Sequence, residues 1–259
     1  MPKDVIDVFN ADIEAHGGYG YANESTRSTA YVNRQFTGVI IGATKPDGKR
    51  VVDIGCGDGI YTAQLREMTG AEFILGIDPA AKAIEHANEV YTPKHKGLAF
   101  RNCYASDLVR EGEHFDVAIY RGVIHHVGDP AKEIAEGLRL ADRIFIRDPN
   151  GLNPVVKLLE RTSRYHREHF ERSYRMGKFR RWIEAGGGRI ESAGYFGLVP
   201  MFSPDWMVTV GAALEPIFER LPGIRALVCG HLAILARADP EGQAARHFTS
   251  SQAMQRGCQ

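Results

Sequence analysis

Several features that would narrow the class of this chain are scarce or absent. Four cysteines, Cys56, Cys103, Cys229 and Cys258, are scattered through 259 residues without a CxxC pair, which points to reduced thiols rather than a disulfide or zinc framework. Long apolar runs are missing. The stretch from Trp206 to Leu214 is far shorter than the roughly 20 residues a membrane span needs, and Glu215-Pro216 follows it. The opening Met1-Pro2-Lys3-Asp4 has an acid where a signal peptide needs a cationic start and an apolar run, so a soluble, cytoplasmic protein is expected. An excess of one charge is also lacking. Lysine plus arginine equals aspartate plus glutamate at 32 each, a formal net charge of zero that argues against DNA as the partner and leaves only a local basic patch. Neither an internal repeat nor a low-complexity tract is present, and a hydrophobic content of 44% is enough for an ordinary folded core.

What is present is an alternation of short apolar runs with amphipathic segments from about residue 50. Val51–Ile54, Phe73–Ile77, Phe115–Ile119 and Ile144–Ile146 are β-branched or aromatic and read as strands covered on both faces, with a further strand over Leu98–Cys103. Tyr61, Leu65 and Met68 recur at helical spacing, as do Ile84, Ala87 and Tyr91. Asp129 before Pro130 forms a helix start that carries Ile134 and Leu138 inward. A helix over Lys178–Ala185 ends at Gly186-Gly187-Gly188, and strands follow over Arg189–Phe196 and Val228–Arg237. This rhythm predicts an α/β fold with a doubly wound, mostly parallel sheet and helices on both faces.

Three regions lie outside the rhythm. Residues 1–49 read as a helical lid of two helices, with Val5, Phe9 and Ile13 on one and Val32, Phe36 and Val39 on the other. Two cap insertions fall within the main domain of residues 50–238. Residues 149–176 are rich in arginine, and residues 200–226 carry Phe202, Trp206, Val210, Leu214, Ile217 and Leu221 at roughly helical spacing. Packing of that second segment as a cap is the expectation, with Glu215, Glu219 and Arg220 turned outward; a homodimer face or a membrane-surface contact is the alternative. Residues 239–259 read as a polar tail.

The most informative stretch is Val51-Val52-Asp53-Ile54-Gly55-Cys56-Gly57-Asp58-Gly59. Glycines allow positive φ and let a ligand approach the backbone closely. A dinucleotide fingerprint has the spacing GxGxxG, whereas here the spacing is GxGxG and Ile60 stands at the third dinucleotide position. Asp53, two residues before the first glycine, would repel a pyrophosphate but suits an ammonium group. Asp78 in Ile77-Asp78-Pro79 lies 23 residues after Gly55, near the spacing of an acid that accepts ribose hydroxyls. Ser106-Asp107-Leu108 follows the third strand, where a carboxylate meets an adenine amino group.

With these residues together, the chain resembles the class I S-adenosylmethionine-dependent methyltransferases, of Rossmann-like fold and seven-stranded sheet, over roughly residues 50–148 and again at 228–237. The resemblance implies S-adenosyl-L-methionine as cofactor, with Asp53, Gly55, Gly57 and Gly59 at its methionine portion, Asp78 and Pro79 at the ribose, and Ser106, Asp107 and Leu108 at the adenine. Arg121, Arg34 and Tyr21 join this expected cofactor set, the last two from a lid that also presents Tyr19 and Tyr31. After the fourth strand stands Arg121-Gly122-Val123-Ile124-His125-His126, a His-His pair that resembles one in many small-molecule methyltransferases, including quinone-ring and natural-product enzymes. A histidine there suits a general base, and His126 is preferred to His125. No ligand cluster for a metal accompanies them.

Asn/Asp-Pro-Pro-Tyr after strand four, a Pro-Cys nucleophile and the acids of magnesium-dependent catechol enzymes are all absent, which points to O- or N-methylation of a small molecule. Asp148-Pro149-Asn150-Gly151-Leu152-Asn153-Pro154 resembles methyltransferases encoded with glycan or lipid biosynthesis. The arginines between Arg161 and Arg175 leave an RNA methyltransferase open, and a non-catalytic cofactor-binding regulator is a further alternative.

Overall fold

The fold was obtained as a computed structural model, which describes residues 3–16, 19, 26–162 and 172–239. Tyr21, most of the arginine-rich stretch and the tail from residue 240 lie outside the described residues. Seven strands make one sheet: β1 (Arg50–Ile54), β2 (Phe73–Ile77), β3 (Leu98–Arg101), β4 (Phe115–Arg121), β5 (Ala141–Pro149), β6 (Gly188–Phe196) and β7 (His231–Ala238). Their order is β3-β2-β1-β4-β5-β7-β6, with the first five parallel and β7 antiparallel to both its neighbours. The expected doubly wound, mostly parallel sheet is therefore present. Strand three stops two residues earlier than the apolar pattern suggested, and strand seven starts after Val228, which ends a short helix instead.

Alternate residues of each strand supply two cores, the pattern expected when both faces are covered. Val52, Ala118, Ile144 and Ile234 face one way, toward Leu108 of α5 (Ala105–Glu111), Ile134 and Leu138 of α6 (Pro130–Leu140), and Phe179 and Ile183 of α8 (Met176–Ala185). Val51, Ile74, Val117 and Phe145 face the other way, toward Ile40 of α2 (Arg27–Thr44), Leu65 of α3 (Ile60–Met68) and Ile84 of α4 (Ala81–Val90). Asp129 caps α6 through the Lys132 N–H at 3.1 Å, with Pro130 in the first turn, as the sequence signal implied. Met68 does not join its expected core. Thr62, Ala63 and Leu65 form the inner face of α3, and Met68, in the last turn, is exposed.

The N-terminal helix α1 (Lys3–His16) packs Phe9 and Ile13 against Ala80 and Ala83, and the first half of α2 packs Val32 and Phe36 against Phe196, Val199 and Val208. Thr26 caps α2 by accepting the Thr29 N–H at 3.2 Å. The first insertion begins with α7 (Pro154–Thr162), and two asparagines latch it to the chain before β7. Asn150 Nδ2 donates to the carbonyls of Ala226 and Cys229 at 2.9 and 2.8 Å. Asn153 Nδ2 donates to those of Val228 and Cys229, while its Oδ1 accepts the Val155 N–H at 2.8 Å and caps α7.

The second insertion corrects the expected orientation. In α9 (Asp205–Phe218) it is Glu215 that is buried, at 3% exposure, whereas Trp206, Val210, Leu214 and Ile217 face outward, with Trp206 65% exposed. Glu215 Oε1 accepts the backbone N–H groups of Leu198 and Val199 at 2.8 and 3.3 Å, and Oε2 accepts the Tyr31 hydroxyl and the Gln35 amide. Burial and the adjacent Glu215 push the Tyr31 hydroxyl far above its ordinary range, so it remains a donor. One carboxylate thus ties α9 to α2 and to the turn after β6. Replacing it strands four donors, so Glu215→Ala is expected to cost about 3 kcal/mol in urea unfolding. Trp206→Ser is expected to change stability by no more than about 0.5 kcal/mol. The reverse ranking, read from circular dichroism during the same unfolding, would restore the inward apolar face.

Candidate functional site

The carboxyl ends of β1 and β4 part where the chain turns to opposite sides of the sheet, and ligands of such sheets bind in the crevice there. A cavity of about 860 Å³ opens at this point, within the range of small-molecule sites. Its floor is the loop after β1. Gly55, Gly57 and Gly59 all have positive φ, at 73°, 57° and 82°. A Cβ on Gly55 would meet Val123 at 2.5 Å, and one on Gly59 would meet Ala87 and Phe100 at 2.7 and 2.8 Å, so glycine is required by space as well as by backbone.

Three aspartates line this end. Asp53 Oδ2 accepts the Thr62 hydroxyl at 2.6 Å, while its Oδ1 is buried with no hydrogen-bond partner among the described residues. Burial raises its carboxyl, against the opposing pull of Thr62 and of the Arg121 charge. Asp78 Oδ2 accepts the Gly57 N–H at 3.0 Å and Oδ1 accepts the Ala80 N–H at 2.8 Å. Burial nevertheless pushes it up to about 6. Asp58, for which the sequence suggested no role, accepts the Tyr19 N–H at 3.0 Å and so holds Tyr19 against the loop. Tyr19 itself is buried edge-on to Phe9, at 5.3 Å between ring centroids.

The cation beside these acids is Arg121 at the end of β4. Its Nη1 donates to Thr37 Oγ1 at 2.9 Å, its Nη2 to the Asn33 carbonyl at 3.2 Å, and its guanidinium lies 3.8 Å from the centre of the Tyr61 ring. Arg34 is not among the residues lining the cavity. On α2 the inward stripe is Thr29, Val32, Asn33, Phe36, Thr37 and Ile40, so Arg34 falls on the exposed face and Asn33 lines the cavity. A smaller cleft beside the loop is walled by Ile77, Pro79, Tyr104, Ala105 and Val123. Of the expected adenine set, Leu108 puts its side chain in the core and Ser106 is half-buried. Asp107, three residues into the turn, accepts the N–H of the N-cap residue Tyr104 at 2.8 Å and pairs with Arg110, which commits it to the start of α5 and leaves it outside the residues lining either hollow.

Both histidines line the cavity but differ in setting. His125 is buried, with Nδ1 2.9 Å from Asp148 Oδ1 at the end of β5. Asp148 is fully buried and its carboxyl is raised, burial outweighing the nearby charges of Arg147 and His126. His126 is half-buried, its ring edge-on to Phe9 at 5.5 Å and 3.9 Å from the His125 ring. In the sequence Asp148 stands out only as the first residue of a longer resembling segment. Its signal was positional, since like Asp53 and Asp78 it is an acid at or just past the carboxyl end of a strand. From the arginine-rich insertion, the Arg172 N–H donates to the His125 carbonyl at 3.3 Å. Among the described residues no cluster of three or more histidine, cysteine or acidic side chains is arranged to hold a metal ion, and no helix is long and apolar enough to cross a membrane.

Comparisons with known proteins agree with this arrangement. The ubiquinone biosynthesis O-methyltransferase of Azorhizobium caulinodans is 35% identical over 115 residues, 44% of this chain and 42% of that protein. A tRNA U34 carboxymethyltransferase of Hahella chejuensis is 29% identical over 171 residues, 62% of this chain and 52% of that protein. These matches span less than two thirds of the length of either relative. Among solved structures, the 1,6-didemethyltoxoflavin-N1-methyltransferase of Burkholderia thailandensis, with bound 1,6-didemethyltoxoflavin and S-adenosylhomocysteine, superposes with a TM-score of 0.61 at 16% identity, covering 91% of this chain and 88% of that one, a likeness of fold. A family model described as a methyltransferase domain matches residues 45–187, more than half of the sequence, and the chain belongs to that methyltransferase-domain family.

Proposed function

We propose that the protein transfers a methyl group from S-adenosylmethionine to an oxygen or nitrogen atom of a small acceptor, with the His125–Asp148 pair receiving the proton. The observation that carries this is the meeting, in one cavity, of a glycine cradle ringed by acids with a buried histidine–aspartate pair. The residues fit the cofactor. Asp53 Oδ1, buried without a partner, suits the ammonium of the methionine portion, and Arg121 suits its carboxylate. Asp78 suits the ribose hydroxyls, and the cleft beside Pro79 suits the flat base. When bound, the cofactor supplies a methyl group already activated by its sulfonium.

The protein's remaining tasks are alignment, exclusion of water and removal of a proton. The N-terminal segment contributes to exclusion, since Tyr19 and Phe9 cover the loop. For the proton, His125 is favoured over His126, a reversal of the preference taken from sequence. Asp148 holds Nδ1 and sets the tautomer, which assigns proton transfer to Nε2. His126, packed against Phe9, shapes the wall.

Two expected outcomes test this reading. Because burial has raised Asp78 to about 6, lowering the pH through 6 protonates the carboxylate that receives the ribose, whereas higher pH keeps it ionised. Calorimetry should therefore find S-adenosylhomocysteine affinity level above pH 7 and falling by about tenfold per unit below 6, with Asp78→Ala weakening it at least tenfold at pH 7.5. A flat profile or an unaffected mutant would remove Asp78 from the site. For the transfer step, a panel of hydroxylated and amino aromatics assayed with methyl-labelled S-adenosylmethionine should identify an acceptor. With it, kcat/KM should rise with pH to a plateau above about 8, as the Asp148 carboxyl, raised by burial, ionises beside His125. Asp148→Asn should lower kcat about 10²- to 10⁴-fold and leave S-adenosylhomocysteine affinity unchanged. Full activity in that mutant would refute the role of the pair.

A further inference from the structure

The outward apolar stripe of α9, from Trp206 to Ile217, does not stand alone. On α7, Val155, Leu158 and Leu159 are exposed, and on α10 (Ile224–Val228) so are Leu227 and Val228. Each set follows helical spacing, so each helix is amphipathic with its apolar side turned to solvent, the reverse of a helix that only covers a core. The helices adjoin. Asn153, at the start of α7, donates to the Val228 and Cys229 carbonyls at the end of α10, and α9 leads into α10 through residues 219–223.

This surface borders the site. Val155, Leu159, Phe202 and Val228 are exposed and at the same time line the cavity, so they rim its mouth. Phe202 is the most unusual of them. Its φ is 63°, in the left-handed region that bulky side chains avoid, yet its ring is 64% exposed, so internal packing does not offset the unfavourable backbone.

The charges around the rim have a sign. Of the three acids between Asp205 and Val228, Glu215 is buried and Glu219 accepts the Gly197 N–H at 2.9 Å, which leaves Asp205 exposed. Arg27 stands beside α9, donating to the Asp205 carbonyl and the Thr209 hydroxyl, while Arg220 follows α9 and Arg225 lies in α10. On α7, Lys157 and Glu160 are paired at 2.8 Å. Cations therefore exceed acids along the edge of an apolar surface, the combination that suits an anionic membrane face.

We propose that the rim formed by α7, Phe202, α9 and α10 docks on an anionic lipid bilayer, with Leu158, Phe202 and Trp206 entering the interfacial layer. A second copy of the chain on the same rim would close the mouth, and paired about a two-fold axis it would set these arginines near their own equivalents. A bilayer covers the apolar side chains and leaves the cavity facing the phase in which an apolar acceptor dissolves. Docking needs no cofactor, so it stands or falls apart from the methyl-transfer reading.

The test is co-sedimentation of the full chain, without cofactor, with vesicles of phosphatidylcholine containing about 30% phosphatidylglycerol and with vesicles of phosphatidylcholine alone. Binding to the anionic vesicles is expected to be at least tenfold tighter. Leu158→Ser, Trp206→Ser and Ile217→Ser combined should weaken it at least tenfold with the circular dichroism spectrum unchanged, because all three side chains are exposed and none lines the cavity. In the parent chain, lipid brominated on its acyl chains should quench the emission of Trp206. Trp206→Phe should remove that quenching, since Trp182 is packed on Tyr174 and Phe179. No sedimentation with anionic vesicles at millimolar lipid, equal binding to the two vesicle types, undiminished binding by the combined variant or an absence of quenching would overturn the proposal. So would a dimer in sedimentation equilibrium that the combined variant converts to monomer, which would assign the rim to a second copy. If the combined variant fails to fold, the vesicle comparison and the quenching in the parent chain decide.

Discussion

Charge kept out of water at the carboxyl edge of the sheet is the constraint around which this molecule is arranged. Asp53, Asp78, Asp148, Arg121 and Arg147 all stand at or just past strand ends, and burying an unpartnered ion costs several kcal/mol. Each is compensated by a different neighbour: Thr62 for Asp53, the Gly57 and Ala80 amides for Asp78, His125 for Asp148, Asn33 and Thr37 for Arg121, and Phe36 with His231 for Arg147. Helix α2 supplies Asn33, Phe36 and Thr37 from one inward stripe. It therefore forms a wall of the site, and the two arginines would lose much of their partnering without it.

The parts of the fold visible in the sequence are those encoded locally. Strand periodicity, the Asp129-Pro130 helix start and the glycine loop each depend on residues within a few positions of one another, and all appear as expected. The parts that were not visible depend on distant partners. The orientation of α9 is set by Tyr31 and Gln35, 184 and 180 residues before Glu215, and local hydropathy alone favours turning the apolar side inward. The same holds for the two histidines. Adjacent in sequence, they differ in distant neighbours: Asp148, 23 residues away, pairs with His125, and Phe9 packs on His126. Arg34 and Met68 show the finer limit: helical spacing identifies an amphipathic segment, but a shift of one position moves a side chain from the cavity or core to solvent.

Asp107 illustrates a different ambiguity. An aspartate three residues after the start of a helical turn is suited both to capping that turn and to meeting a ligand at it, and in this structure it caps. The motif from Asp148 to Pro154 likewise has a mechanical content that its resemblance to other enzymes did not suggest. Asn150 and Asn153 satisfy the carbonyls that end the second insertion, so the two insertions flanking the cavity are hinged on the same short segment.

The placement of β7 has a consequence for how the protein comes into being. This strand is the last of the seven in the chain, yet it lies inside the sheet, between β5 and β6, and it brings His231 to Arg147 and the Gly230 carbonyl to Asn150. On the ribosome, a chain halted before residue 231 can pair β1 to β5 and shape the glycine loop, but β6 has no neighbour to join and the far end of the cavity has no back. The glycine-loop end of the site thus depends on strands that pair without β7, whereas the Arg147 end is complete only when the seventh strand lies between β5 and β6.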